Sequence, residues 1–150
     1  DGASPSGEDA VAVPVYFVDD QGTLVPVNQE VDGVDQMSSQ GRALAAVNDL
    51  IRDVPDKDSG LTSHWGGSCG VGAGVDSLRK QSGLITIKLS GPTGVACSRK
   101  GDKETQQSQQ LAWTVVQNLG GDPSTPIQVF SPNGALLYKD LVADETILAG

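Results

Sequence analysis

The side chains best equipped for chemistry are few in this chain: one histidine, His64, two cysteines, Cys69 and Cys97, and a scatter of carboxylates. A cysteine nucleophile needs a base beside it to form thiolate. His64 sits on a different loop from the cysteines, so a Cys-His enzyme is not expected. Zinc asks for three or four ligands at characteristic spacing, and two Cys with one His supply no such cluster, so no metal or cofactor is expected. Asp19, Asp20, Asp32, Asp35, Asp53, Asp56 and Asp58 could pair as the acids that flank a glycosidic bond. Their places in turns and at a helix end favour solvated carboxylates. EF-hand spacing, a Walker loop and a Gly-x-Ser-x-Gly elbow are all missing, and no catalytic residue is assigned.

The most site-like stretch is His64-Trp65-Gly66-Gly67, since an aromatic beside glycines on a loop can stack on a sugar ring or anchor a partner. Trp65 can equally close the core, because a chain with two Trp, two Tyr and two Phe has few large rings to fill it. Trp113, at the margin of a helical apolar stripe, has the same two readings. His64, Trp65 and Trp113 are the candidate binding residues. Gln106 to Gln110 carries no titratable group and reads as a soluble first half of its helix.

The elements that must position these residues follow from periodicity. Val11, Val13, Val15 and Phe17 alternate along a strand to Val18, with Pro14 favouring an edge. A turn at Asp19 to Gly22 leads to a second extended run, Thr23 to Val31. Ser38 or Ser39 caps a helix to about Val54, with Ala43, Leu44, Val47, Leu50, Ile51 and Val54 on one stripe and Arg42, Asn48, Asp49, Arg52 and Asp53 on the solvated face. Pro55 closes it and Asp56 to Gly67 is a loop. Val71, Ala73 and Val75, a turn at Lys80 to Gly83, and Ile85, Ile87 and Leu89 form a second hairpin. Glu104 to Leu119 is a second helix with Leu111, Ala112, Val115, Val116 and Leu119 on its stripe, ended by Gly120-Gly121. Pro126 to Phe130, an Asn133-Gly134 turn and Ala135 to Val142 close the chain. The order ββ-α-ββ-α-ββ predicts an α+β fold with two helices on one face of a mixed or antiparallel sheet. Residues 1–10 read as a flexible tether, 11–143 as the domain and 144–150 as a C-terminal tail.

Cys69 and Cys97 fall at the open ends of the second hairpin's arms, where cross-strand neighbours come close, so a disulfide between them is expected. Closing that loop would stabilise the fold by roughly 3 to 4 kcal/mol. The tether and the Ser, Thr, Gln and Gly content suit an exported protein. A net charge of −9 with ten unclustered Lys and Arg excludes nucleic acid as a partner. No run approaches the ~18 apolar residues of a spanning helix.

Val13 to Val27 (VPVYFVDDQGTLVPV), the Ala43 to Ile51 helix, Gly60-Leu61-Thr62-Ser63, the Leu84 to Ser90 strand and Gln109 to Val115 (QQLAWTV) together resemble a GerMN domain over roughly residues 11 to 142. GerMN domains occur in sporulation and germination proteins and in lipoproteins of Gram-positive bacteria. The resemblance implies an extracytoplasmic envelope location, secreted or held to the membrane only through an upstream lipidated cysteine. It implies a non-catalytic role, binding an envelope protein or cell-wall component, with no catalytic residues to carry over. A wall-acting hydrolase using His64, or a self-assembling ring-building module, are the alternatives.

Overall fold

The structure, a computed structural model, describes residues 10–32, 38–52, 55–65, 74–91, 102–120 and 122–149. Among these, β1 (Ala10–Val18) and β2 (Leu24–Asp32) form a hairpin, followed by α1 (Ser39–Arg52) and a single 3-10 turn at Lys57–Ser59. Then come β3 (Gly74–Gln81), β4 (Leu84–Ser90), α2 (Asp102–Leu119), β5 (Ile127–Phe130), β6 (Leu136–Leu141) and a second 3-10 turn at Glu145–Ile147. The α+β order expected from the sequence is the one observed. Val54, Val71, Ala73, Cys69 and Cys97 lie outside the described residues, and so does the expected disulfide.

Local chemistry fixes the ends of the elements. The Asp19 carboxylate accepts from the Gln21 and Thr23 amides at 2.9 and 3.0 Å and from the Thr23 hydroxyl at 2.7 Å, closing the β1–β2 turn. Those bonds, the Thr23 hydroxyl first, hold its pKa below the ordinary aspartate value. Ser38 caps α1, its Oγ accepting from the Gly41 amide at 3.2 Å. The second hairpin turns more tightly than the expected Lys80 to Gly83 loop. Gln81 already pairs with Leu84, leaving Ser82 and Gly83 at φ of 54° and 78°, the two positive values a type I′ connection requires. Serine tolerates that conformation poorly. Ser82→Gly should therefore raise stability by about 0.5 to 1 kcal/mol, read as a higher urea midpoint at unchanged slope; a lower midpoint would contradict it.

The strands form two sheets: β1 with β2, and a mixed sheet ordered β3-β4-β5-β6. In the second, β4 and β5 run parallel because α2 lies on the crossover between them, while the other neighbours are antiparallel. One core unites all of it. Val13, Val15 and Phe17 of β1 meet Ala43, Ala46, Val47, Leu50 and Ile51 of α1, with Leu111, Val115, Ile85, Ile87, Ile127 and Val129 completing the cluster. At about 25 cal/mol per Å² of apolar area, such burial is the dominant favourable term. Asn48, expected on the solvated face of α1, instead turns its Oδ1 to the Val75 amide at 2.8 Å and fastens the helix to β3. Gly74 permits that approach, since a Cβ there would stand 2.6 Å from the same oxygen.

Why β1 does not join the larger sheet follows from what occupies its second edge. Val13, Val15 and Phe17 lie opposite Gln29, Val27 and Val25, whereas the backbone groups of Pro14, Tyr16 and Val18 face away from β2. Thr62 exchanges both backbone bonds with Val18, at 2.8 and 2.7 Å. The rest of that edge is taken by side chains of α2. Gln110 donates to the Tyr16 carbonyl at 2.9 Å, Thr114 Oγ1 accepts from the Tyr16 amide at 3.1 Å, and Asn118 donates to the Pro14 carbonyl at 2.9 Å. Pro14 has no N–H to leave unpaired, so an expected edge proline sits where it costs nothing. A helix thus supplies the hydrogen bonds a neighbouring strand would have made.

Candidate functional site

The sequence-chosen residues gather around α2, which runs between the 61–65 loop and the segment after β6. The Gln106 to Gln110 run is the main correction to the sequence analysis. Gln107 and Gln110 are fully buried and Gln109 nearly so, not a soluble half-helix. Each amide has a main-chain target. Gln107 Nε2 donates to the His64 carbonyl at 3.0 Å; Gln110 Oε1 accepts from the His64 amide at 3.0 Å. Gln109 donates to the Val142 carbonyl at 2.8 Å and accepts from the Asp144 amide at 2.7 Å. A fully satisfied polar network of this kind fixes one arrangement of the loops around it.

His64 is half-buried within this network, its Nε2 lying 2.7 Å from Gln106 Oε1. Gln106 is wedged between His64 and the β1–β2 turn, where a Cβ at Gly22 would meet its Nε2 at 2.9 Å. An amide holds the imidazole in place but cannot exchange a proton with it. Trp65 is 1% exposed and donates from Nε1 to the Gln107 carbonyl at 2.7 Å. Trp113 lies on another side of α2, buried against Tyr16 with ring centroids 6.0 Å apart, its Nε1 donating to the Asp144 carbonyl at 3.0 Å. Burial also pushes the Tyr16 hydroxyl above its usual pKa. Both indoles are thus placed in the core, and His64 and Trp65 share a loop that Trp113 does not touch in any bond described.

The segment after β6, which runs into the C-terminal tail expected from residue 144, lies across α2. Gln109 and Trp113 hold Val142 and Asp144, and the Ala149 amide donates to the Leu24 carbonyl at 2.9 Å beside β2. A shallow groove of about 590 Å³ runs between this segment and the Asp122-Pro123-Ser124 turn. Two of its three carboxylates are occupied with their own turns: Asp122 accepts from the Ser124 amide and Asp144 from the Thr146 amide, which lowers both pKa values. Among the described residues, no three His, Cys, Asp or Glu side chains gather around one point as metal ligands would.

What these observations define is an α+β domain whose buried glutamines, threonine and asparagine on α2 are spent on holding loops and a strand edge. The chain belongs to the Germane family, described as sporulation and spore germination, whose family model matches residues 14–129. Its fold is similar to the tandem GerMN domains of the sporulation protein GerM from Bacillus subtilis, with a TM-score of 0.59 at 16% identity over 89% of this chain. It spans 46% of that tandem chain. It is also similar to the first GerMN domain of the same protein alone, with a TM-score of 0.54 at 17% identity over 88% of this chain and 97% of that one. No curated protein matches the chain. The family resemblance drawn from the sequence is therefore correct. Among the described residues no helix is long and apolar enough to cross a membrane.

Proposed function

We propose that this domain is a non-catalytic extracytoplasmic part of a bacterial envelope protein, held near the membrane by a lipid anchor upstream, and that it acts by binding an envelope protein or cell-wall component. The observation that carries the reading is the bonding of His64. The chain's one histidine has Gln106 as its ring partner and gives both its backbone groups to Gln107 and Gln110, so its position serves architecture. Family membership adds the sporulation and germination setting.

The test is incubation of the domain with purified envelope fragments, following both retention and release of soluble wall products. Saturable retention without release, unchanged in His64→Ala, is the expected result. Release of fragments that His64→Ala abolishes would overturn the reading in favour of a hydrolase.

A further inference from the structure

The alternation of the four-stranded sheet sends Ile85, Ile87 and Val129 into the core and turns Arg79, Thr86, Lys88, Phe130 and Leu136 outward. Register aligns Ser77, Lys88, Phe130 and Leu136 in one row across all four strands, with Arg79 opposite Thr86 in the next row. Between the rows lies a basin of about 260 Å³ lined by Ser77, Arg79, Gln81, Thr86, Lys88 and Phe130. Every polar side chain in this lining can donate a hydrogen bond, and two are cations. No carboxylate is among them, in a chain with 19 Asp and Glu against 10 Lys and Arg. Among the described residues neither Arg79 nor Lys88 has an ion-pair or hydrogen-bond partner for its charged group.

Arg79 and Lys88 are diagonal neighbours on adjacent antiparallel strands, a separation of roughly 7–8 Å that one tetrahedral oxyanion can bridge with long side chains. Arg offers a fork of donors and Lys a point charge, the pair of geometries that phosphate oxygens accept. The Ser77 and Thr86 hydroxyls stand beside them, and the Phe130 ring walls the basin next to Lys88, where it can cover the carbon skeleton that carries the anion.

We propose that this basin binds a phosphate group carried on a polyol or sugar, the repeating unit of an anionic wall polymer. Arg79 and Lys88 share the phosphate and Phe130 packs on the carbon chain. The inference rests on the envelope-binding reading, which brings such a polymer within reach. A net charge of −9 repels the polymer elsewhere on the surface. Screening over about 8 Å at physiological ionic strength keeps that repulsion from cancelling the attraction at the basin. The footprint is one or two repeats, too short for a nucleic-acid track.

The test is amide NMR of the 150-residue chain titrated with a glycerol phosphate oligomer, with an uncharged N-acetylglucosamine oligomer and inorganic phosphate as the other arms. Expected are saturable shifts confined to β3, β4 and β5, at least tenfold weaker binding in Arg79→Gln/Lys88→Gln, and a fall in affinity as salt rises. Phe130→Ala should bring the oligomer down to the affinity of inorganic phosphate. Shifts that arise elsewhere, that survive the double substitution, or that the uncharged oligomer reproduces would overturn the proposal. Envelope retention by a chain that ignores glycerol phosphate overturns this inference and leaves the broader binding reading standing; loss of both sinks both.

Discussion

Gln110→Ala is expected to lower the unfolding free energy by about 3 kcal/mol. Gln110 is fully buried and makes bonds to the Tyr16 carbonyl, the Ser63 hydroxyl and the His64 amide. Truncation leaves the Tyr16 carbonyl and the His64 amide without partners, and each such orphan costs roughly 1 to 3 kcal/mol. Leucine separates bonding from packing. Gln110→Leu keeps most of the volume yet offers neither donor nor acceptor, so it should lose nearly as much. Glutamate should do worse at neutral pH, because it cannot donate to the Tyr16 carbonyl and brings a buried charge. Gln117, exposed two turns further along the same helix, is the control: its alanine variant should stay within about 0.5 kcal/mol of wild type. Urea denaturation at constant slope measures all four. A Gln110→Leu variant as stable as wild type would show that the β1 edge does not depend on these amides.

The same residue shows where the sequence was readable and where it was not. Both helices were legible because an apolar stripe at helical spacing needs only residue types to be seen, and Leu111, Ala112, Val115 and Val116 are buried as expected. The hairpins were legible from alternation and from turn residues such as Asn133-Gly134. Glutamines were misjudged because composition counts an amide as soluble, whereas its burial depends on which backbone groups lie opposite. A signal was nonetheless present. Gln110, Thr114 and Asn118 recur every fourth residue beside the apolar stripe, so a polar row shares the buried side of the helix. Val15 to Val18 is apolar at every position and buried at every position, which is the mark of a strand covered on both faces. Joining those two patterns would have placed α2 along the edge of β1. The separation into two sheets had no such signal, since it is decided by partners distant in sequence.

Of the candidate binding residues, the two tryptophans carry the second large expectation. Trp65→Ala should cost about 3 to 5 kcal/mol, the range for deleting a large buried ring, since the indole is 1% exposed among core side chains. Against a total stability of roughly 5–15 kcal/mol that is a large fraction, and the midpoint of thermal unfolding should fall by about 10 °C or more. Trp65→Phe should lose much less. It keeps most of the apolar burial and gives up the bond from Nε1 to the Gln107 carbonyl, worth about 1 kcal/mol net. Calorimetry on the two variants checks both values, and a Trp65→Ala protein melting within a few degrees of wild type would mean that the indole does not support the core. The consequence for function is direct. A partner lost on truncating Trp65 would report a collapsed core and not a missing contact, so a binding face has to be sought with substitutions that leave stability untouched. Arg79 and Lys88, exposed on the outer face of the four-stranded sheet, meet that condition, and the tryptophans do not.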